Sequence, residues 1–446
     1  APLNRSAALL DDRRVKQHTP IHGLPVLGDI SGLSRIIAKY DIQECIITEQ
    51  HLVKKTIEHA RINALNLGTI KILPSIDDII DGKLVLANIR DISIEDLLGR
   101  QPVQIDTNLM RSFLQGKRVL VTGAAGSIGS TLCKHIAGFQ PAMLIALDQN
   151  ETGMFYLERN LKAQFPSLTI KSIIADVCFS QRIGSIFKEY KPEIVFHAAA
   201  YKHVSVMEEN PLEAVRNNIF GTLSVAQNAR AHGVDICIFI STDKAVRPVS
   251  VMGATKHIGE KICRMIHAQG GTRFCAVRFG NVLDSQGNVI EIFREQIKKG
   301  GPLEITHPEM QRYFMVTSEA CLLLMQASAL SRDGEIFCLD MGKPVKVYDL
   351  AKEMIKLAGY EPDKDIQILF SQPRPGERLS EELLVEGEIP TRYEKIFIAR
   401  RQHSDDLLSL PEKLEELKAA LHSMDEAQAL ALLHNMAPEY NKTNRA

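Results

Sequence analysis

The chain has 446 residues, 45% of them hydrophobic and 24% charged, with 53 basic against 54 acidic side chains. That length exceeds one ordinary core and calls for two or three domains. The near-zero net charge excludes a global field that would draw the chain to nucleic acid or to an anionic membrane, so any anionic ligand must be held locally. The cysteines (45, 133, 178, 237, 263, 275, 321 and 338) stand singly, with no C-x-x-C pair. Their spacing predicts reduced, buried thiols of a cytosolic compartment and no metal site. No stretch reaches the roughly 18 apolar residues of a membrane span, so the chain as given is expected to be soluble.

Residues 1–105 alternate short apolar runs ("AALLDD", "GLPVLGDI", "ECIIT", "TIKILPSI") with helical patterns over 33–40 and 52–64. This predicts a small α/β domain. It lacks a Gly-rich turn and starts abruptly on a strand, which suggests that a first strand and helix lie upstream of residue 1.

A linker, "GRQPVQIDTNLMRSFLQ", leads into a stronger pattern, and the second domain is placed at 106–290. "RVLVTG", "AMLIALD", "TIKSIIADV", "EIVFHAAA", "DICIFIST" and "RFCAVRFGNV" are near-continuous apolar strands separated by helix-length segments. Strands apolar on both faces belong to a parallel sheet covered by helices on each side, so the fold class is α/β, a Rossmann-type doubly wound parallel sheet. Residues 291–446, with Pro- and Gly-rich turns among helices, are assigned to a C-terminal substrate lobe interleaved with that domain. Two amphipathic helices close the chain, and their Leu and Met stripe is expected to pack in a core or interface.

"VLVTGAAGSIGS" sets Gly123, Gly126 and Gly129 directly after a strand, with Ser127 and Ile128 opening a helix. The first glycine permits a tight turn, the second lets backbone approach a pyrophosphate, and the third lets the helix pack closely. Asp148 ends the next strand, 19 residues beyond Gly129, where an acidic side chain accepts from an adenosine ribose. Its charge would repel a 2′-phosphate and "LDQNET" has no adjacent arginine, so NAD is favoured over NADP. Asp176 and Val177 are placed near adenine, and the small Ala198, Ala199 and Ala200 let a cofactor lie against backbone.

Together, TGAAGSIG, ADV, HAAAYKHV, STDKAV and MGATK resemble an extended short-chain dehydrogenase/reductase. More narrowly, "AAAYKHVSVMEENPLEAVRNNIFGT", "FISTDKAVRPVSVMGATK", "VRFGNVLDSQGNVIEIFREQI", "MQRYFM" and "RPGERLSEELL" are similar to the nucleotide-sugar 4,6-dehydratases of bacterial polysaccharide biosynthesis. The resemblance covers roughly 115–440. The N-terminal "LLDDRR…HGLPVLGDI" resembles the domain before catalysis in the long, membrane-anchored members. It implies a soluble portion of such a protein, working on the cytoplasmic side of the bacterial inner membrane and held there only through segments absent from this chain.

The resemblance implies an NAD-dependent dehydratase of UDP-N-acetylglucosamine, which oxidises C4, eliminates water across C5 and C6, and reduces C6. Met252 stands where shorter relatives keep Tyr, and long members characteristically have Met there. Asp243 is the candidate acid for the C6 hydroxyl, which requires a raised pKa. Lys244, where T-D-E relatives carry Glu, is the candidate base at C5, which requires a depressed one. Thr242 is placed to relay the C4 hydroxyl proton, with Lys256 on the nicotinamide ribose and Met252 packing on sugar or nicotinamide. Tyr201 is a rival base. Lys202 and His203 are placed toward nicotinamide and sugar, Arg312 and Arg374 on the diphosphate, Glu377 on a ribose hydroxyl, and Asn281 on sugar or phosphate. Ser205 and Glu291 depart from the Pro usual in relatives, which leaves the exact hexosamine open. No nucleic-acid partner is expected. A homo-oligomer is, because the apolar helix pattern after Ile258 suits a paired-helix dimer. The alternatives are a UDP-hexosamine 4-epimerase and a noncatalytic NAD-binding sensor.

Overall fold

The computed structural model describes residues 8–13, 16–17, 19–40, 42, 44–48, 52, 56, 70–72, 90–91, 104–283, 285–383, 387–399, 407–438 and 440. The chain gathers into two compact units. One holds residues 1–102 with 296–303 and 351–368; the other holds 103–295, 304–350 and 369–446.

In the first unit, "ECIIT" and "TIKILPSI" supply parallel strands Cys45–Ile47 and Ile70–Ile72, with Arg90–Asp91 antiparallel to the second. Helix Leu33–Tyr40 forms over the predicted span. Among the described residues, "AALLDD" contributes a bridge from Leu9 to Val26. Most of the helical pattern at 52–64 lies outside the described residues.

The larger unit is built on a nine-stranded sheet. Its strands are β1 (Arg118–Thr122), β2 (Met143–Asp148), β3 (Ile170–Ile174), β4 (Ile194–His197), β5 (Ile236–Ile240), β6 (Arg273–Arg278), β7 (Ile336–Leu339), β8 (Ile389–Pro390) and β9 (Ile396–Ile398). They run in the order β8-β9-β7-β6-β5-β4-β1-β2-β3, parallel from β3 to β7, with β9 antiparallel to β7. The alternation of side chains explains the two covering layers. On β1, Val119 and Val121 face one core while Leu120 faces the other; on β5, Ile236, Ile238 and Ile240 oppose Cys237 and Phe239. One layer includes α1 (Ser127–Gly138) and α2 (Glu151–Gln164); the other includes α3 (Gly221–Ala231) and α4 (Val251–Ala268). The order reverses between β1 and β4, and open α/β sheets bind ligands at the carboxyl ends of strands beside such a reversal.

Two readings change in detail. The predicted linker carries helix Thr107–Leu114, capped by Asp106 and anchored by the fully buried Met110 and Leu114. The two closing helices, α5 (Leu410–His422) and α6 (Glu426–Met436), bury their Leu and Met stripe in the same cluster as Ile258, Ile262 and Ile266 of α4. The apolar face considered for a paired-helix dimer is therefore packed inside this chain. Six of the cysteines are buried, and Cys45 and Cys178 are partly buried.

Candidate functional site

The turn between β1 and α1 holds Gly123 and Gly126, and Gly129 lies in the first turn of α1. A Cβ on Gly123, which has φ 66°, would lie 2.5 Å from the backbone nitrogen of Ala199; one on Gly129 would lie 2.0 Å from the carbonyl oxygen of Gly123. Both are too close for any side chain, so the turn requires glycine. Gly126 is the N-cap of α1 and supplies no side-chain cap, leaving the helix N-terminus to an anion from outside. Ser127 accepts from the Gln286 amide at 3.1 Å, and Ile128 packs against the core beneath the turn. Asp148 holds this loop from the next strand, accepting from the Ala125 and Asn150 amides at 2.9 Å each.

Asp176 lies just past β3, accepting from Arg216 and the Cys178 amide at 2.8 Å each. Burial works to raise its pKa, but these bonds prevail and lower it. Val177 is buried beside Gly221. Ala198, Ala199 and Ala200 follow β4, and the Ala198 amide donates to Thr122. The chain's spacing thus builds a turn, an open helix end and a small-residue wall that fit a dinucleotide. Asn218, which composition did not single out, clamps this wall: its side chain bonds both backbone groups of Tyr201 and the hydroxyl of Thr255.

The second half of the site lies at the end of β5. Thr242 Oγ1 donates to Asp243 Oδ1 at 2.8 Å, and Lys244 Nζ donates to the same oxygen at 3.0 Å and to Asn281 Oδ1 at 3.0 Å. Asp243 Oδ2 is buried with no hydrogen-bond partner among the described residues. Gly280 keeps space there, since an added Cβ would sit 3.0 Å from Oδ2. The structure therefore brings Thr242, Asp243, Lys244 and Asn281 into one bonded group.

Met252 is 4% exposed and belongs to the hydrophobic core of the α4 layer, where a thioether serves as filling. Lys256, one turn on, is buried with its Nζ 4.1 Å from the centre of the Phe239 ring. Burial lowers its pKa from 10.5 to about 8, against the pull of Glu260. Burial also pushes the pKa of His197 down to about 3, helped by Lys256. His197 is held between the hydroxyls of Thr122 and Thr222.

The remaining candidates divide. Tyr201 accepts from Gln149, beside Asp148, at 3.4 Å, which puts its hydroxyl at the loop after β2 rather than with Asp243. Lys202 donates to the Gln286 carbonyl at 2.8 Å, and His203 packs against Gly287; burial lowers both pKa values. Glu291, one of the two departures, accepts from the Gly287 amide and so braces the same loop. Arg312 is buried and donates to the carbonyl of Gln311 at 2.7 Å. Arg374 is exposed, and the Glu377 carboxylate accepts its amide at 3.1 Å in a tight turn.

Two buried charges escaped the motif reading. Glu260 on α4 takes a two-pronged bond from Arg278 at 2.7 and 2.6 Å and another from Ser241 at 2.6 Å. Glu381, within "RLSEELL", lies 3.9 Å from Lys244 Nζ and is 7% exposed. Only Glu260 had a local signal, an acid four residues after Lys256 on a helix.

A doubly wound sheet with a glycine turn at its reversal, and with the bonded Thr242–Asp243–Lys244 group just beyond β5, is the arrangement of a short-chain dehydrogenase/reductase of the nucleotide-sugar dehydratase/epimerase class. Residues 119–401 match a family model described as "Polysaccharide biosynthesis protein", and the chain belongs to that family. It is 43% identical to the capsular polysaccharide biosynthesis protein CapD of Staphylococcus aureus, over 89% of this chain and 67% of CapD. It is 32% identical to a UDP-N-acetylglucosamine 4,6-dehydratase (inverting) of Campylobacter jejuni, over 63% of this chain and 80% of the relative. The X-ray structure of Pen from Bacillus thuringiensis aligns with TM-score 0.60 at 32% identity, covering 64% of this chain and 90% of Pen. Among the described residues no helix is long and apolar enough to cross a membrane.

Proposed function

We propose that this chain is the catalytic portion of an NAD-dependent dehydratase that turns UDP-N-acetylglucosamine into the UDP-4-keto-6-deoxy-N-acetylhexosamine for a surface glycan. The observation that carries this reading is Asp243: one oxygen bonds Thr242 and Lys244, and the other is buried without a partner among the described residues. An orphaned buried oxygen is costly unless a ligand group satisfies it. A 4-epimerase needs no acid at C6, and a binding protein needs no orphaned carboxylate.

When bound, NAD would take hydride from C4 and return it to C6. Gly123, Gly126, Ser127, Ile128, Gly129, Asp148, Asp176, Val177 and Ala198 to Ala200 would hold it, with Lys256 at the nicotinamide end. The Thr242 bond to Asp243 gives the proton a course. It leaves the C4 hydroxyl through Thr242 to Asp243, and Asp243 then delivers it to the C6 hydroxyl as water departs. Lys244 takes the C5 proton and later returns it. Lys202, His203, Asn281, Arg312, Arg374 and Glu377 line the sugar-nucleotide side in this reading. The roles of Arg374 and Glu377 require their turn to open its internal bond.

The test is incubation with UDP-N-acetylglucosamine and catalytic NAD in D2O. The expected product is lighter by one water, about 18 Da before deuterium is counted, and carries deuterium at C5. An isomer of unchanged mass without C5 exchange would establish the epimerase instead.

A further inference from the structure

The triplet ending β5 carries a lysine where T-D-E relatives carry a glutamate, so the carboxylate usual at that position is missing. The fold brings another one to the place. Glu381 comes from the segment whose Leu379 carbonyl accepts from the Gln311 amide at 2.7 Å, and its Oε1 lies 3.9 Å from Lys244 Nζ. Lys244 therefore sits between two carboxylates, Asp243 at 3.0 Å and Glu381, while Asn281 fixes its remaining direction.

We infer that Glu381 is the proton partner of Lys244, a positioning residue that takes the lysine's proton and hands it back; this rests on the dehydratase reading above. As the pair closes from 3.9 Å to hydrogen-bond distance, the Lys244 ammonium passes a proton to the Glu381 carboxylate. The resulting amine accepts the C5 proton as the C5–H bond breaks, the C5–C6 double bond forms and the C6 hydroxyl leaves with the proton from Asp243. After C6 is reduced, Lys244 returns a proton to C5, and Glu381 returns its own to Lys244. No charge is left over at any stage, and no outside proton carrier is needed.

The surroundings suit a carboxyl that alternates between its two forms. Burial raises the Glu381 pKa and the Asp243 charge adds to this, while Lys244, Arg312 and Arg378 pull it down. Among the described residues neither state is held by a direct hydrogen bond comparable to the pairing of Glu260 with Arg278. The short Thr242–Asp243–Lys244 path and the Lys244–Glu381 path separate the two protons: one moves from C4 to C6, and the other shuttles at C5.

The test compares the wild type with Glu381→Gln and the charge-conserving Glu381→Asp. In a quenched single turnover, Glu381→Gln is expected to lose dehydration by about 10²-fold or more, the range for a lost general base. The C4-oxidised sugar that keeps its C6 hydroxyl then accumulates, C5 deuterium exchange falls with dehydration, and Glu381→Asp recovers part of both. A second readout needs no substrate: acylation of Lys244 by acetic anhydride, followed against pH by peptide mass spectrometry. Without the neighbouring carboxylate the ammonium is less stabilised, so the lysine becomes reactive at lower pH in Glu381→Gln; dehydration that falls even so shows that the carboxylate is needed as the proton acceptor and not to set the lysine's charge. Dehydration and exchange within about threefold of wild type would overturn the inference. So would a parallel loss of C4 oxidation and elimination with Lys244 labelling unmoved, the mark of a packing role. If the wild type leaves UDP-N-acetylglucosamine unchanged, the substrate reading fails and the labelling alone decides: a shift supports the Lys244–Glu381 pairing and no shift overturns it.

Discussion

Removing one member of the Glu260–Arg278 pair should cost far more than removing both. The pair links α4 to the end of β6, and Ser241 adds the end of β5, so one carboxylate ties the helix that carries Lys256 to the strand ends just before Asn281 and Thr242. The Glu260 side chain is 2% exposed and that of Arg278 12%, so neither has bulk water to fall back on. Burial raises the Glu260 pKa, but Arg278 and Ser241 more than offset this and leave it lowered. Glu260→Leu strands a buried guanidinium and Arg278→Met strands a buried carboxylate, each at about 3–5 kcal/mol. The double variant strands neither charge. It should lie within about 1–2 kcal/mol of wild type, the residue being the Ser241 hydroxyl left without its acceptor. Urea unfolding followed by far-ultraviolet circular dichroism measures all four proteins. A coupling energy of about 3 kcal/mol or more is expected. Single substitutions each costing less than about 1 kcal/mol, or a double variant equal to their sum, would refute the argument.

Three further outcomes follow from the site. The Lys256 pKa is lowered from 10.5 to about 8, so the unfolded chain binds more protons between those values and stability rises with pH across that window. The full difference corresponds to about 3 kcal/mol, and denaturation of the ligand-free protein at stepped pH should show the rise in wild type and lose it in Lys256→Met. Asp243→Asn should keep NAD binding, measured by calorimetry, but lower dehydration by about 10²-fold or more; unimpaired turnover would remove Asp243 from the acid role. Met252→Tyr should cost about 1–3 kcal/mol of stability through overpacking and give no gain in dehydration rate. A faster enzyme would show that the phenol reaches the reacting sugar and that Met252 is more than core filling.

The parts of this molecule that can be derived locally were legible from residue order. Continuous apolar runs such as "VLVT" and "ICIFI" had to become buried parallel strands, and the turn at Gly123 and Gly129 tolerates no side chain, so strand, turn and helix follow from spacing alone. Thr242, Asp243 and Lys244 were visible for the same reason, being adjacent at the end of one strand. Met252 was legible in part: a thioether moves no proton, but its burial in the α4 core depends on what α5, α6 and α3 bring to that layer.

What sequence alone left undecided were relations between distant segments. Asp148 was assigned to a ribose and Asp176 to adenine, but the structure also shows which neighbours each one holds: Asp148 accepts from the Ala125 amide of the glycine loop, and Asp176 from Arg216. Lys202 was placed toward the cofactor, but its ammonium bonds the Gln286 carbonyl 84 residues away. Glu381 carried no local signal among neighbouring glutamates; only the approach of its segment to β5 makes it the carboxylate beside Lys244. Residue order determined the sheet, the glycine turn and the Thr242–Asp243–Lys244 triplet, because backbone conformation and side-chain periodicity act over a few residues. The tertiary structure decided which buried charges meet, because burial and pairing arise only when segments far apart in the chain exclude water together.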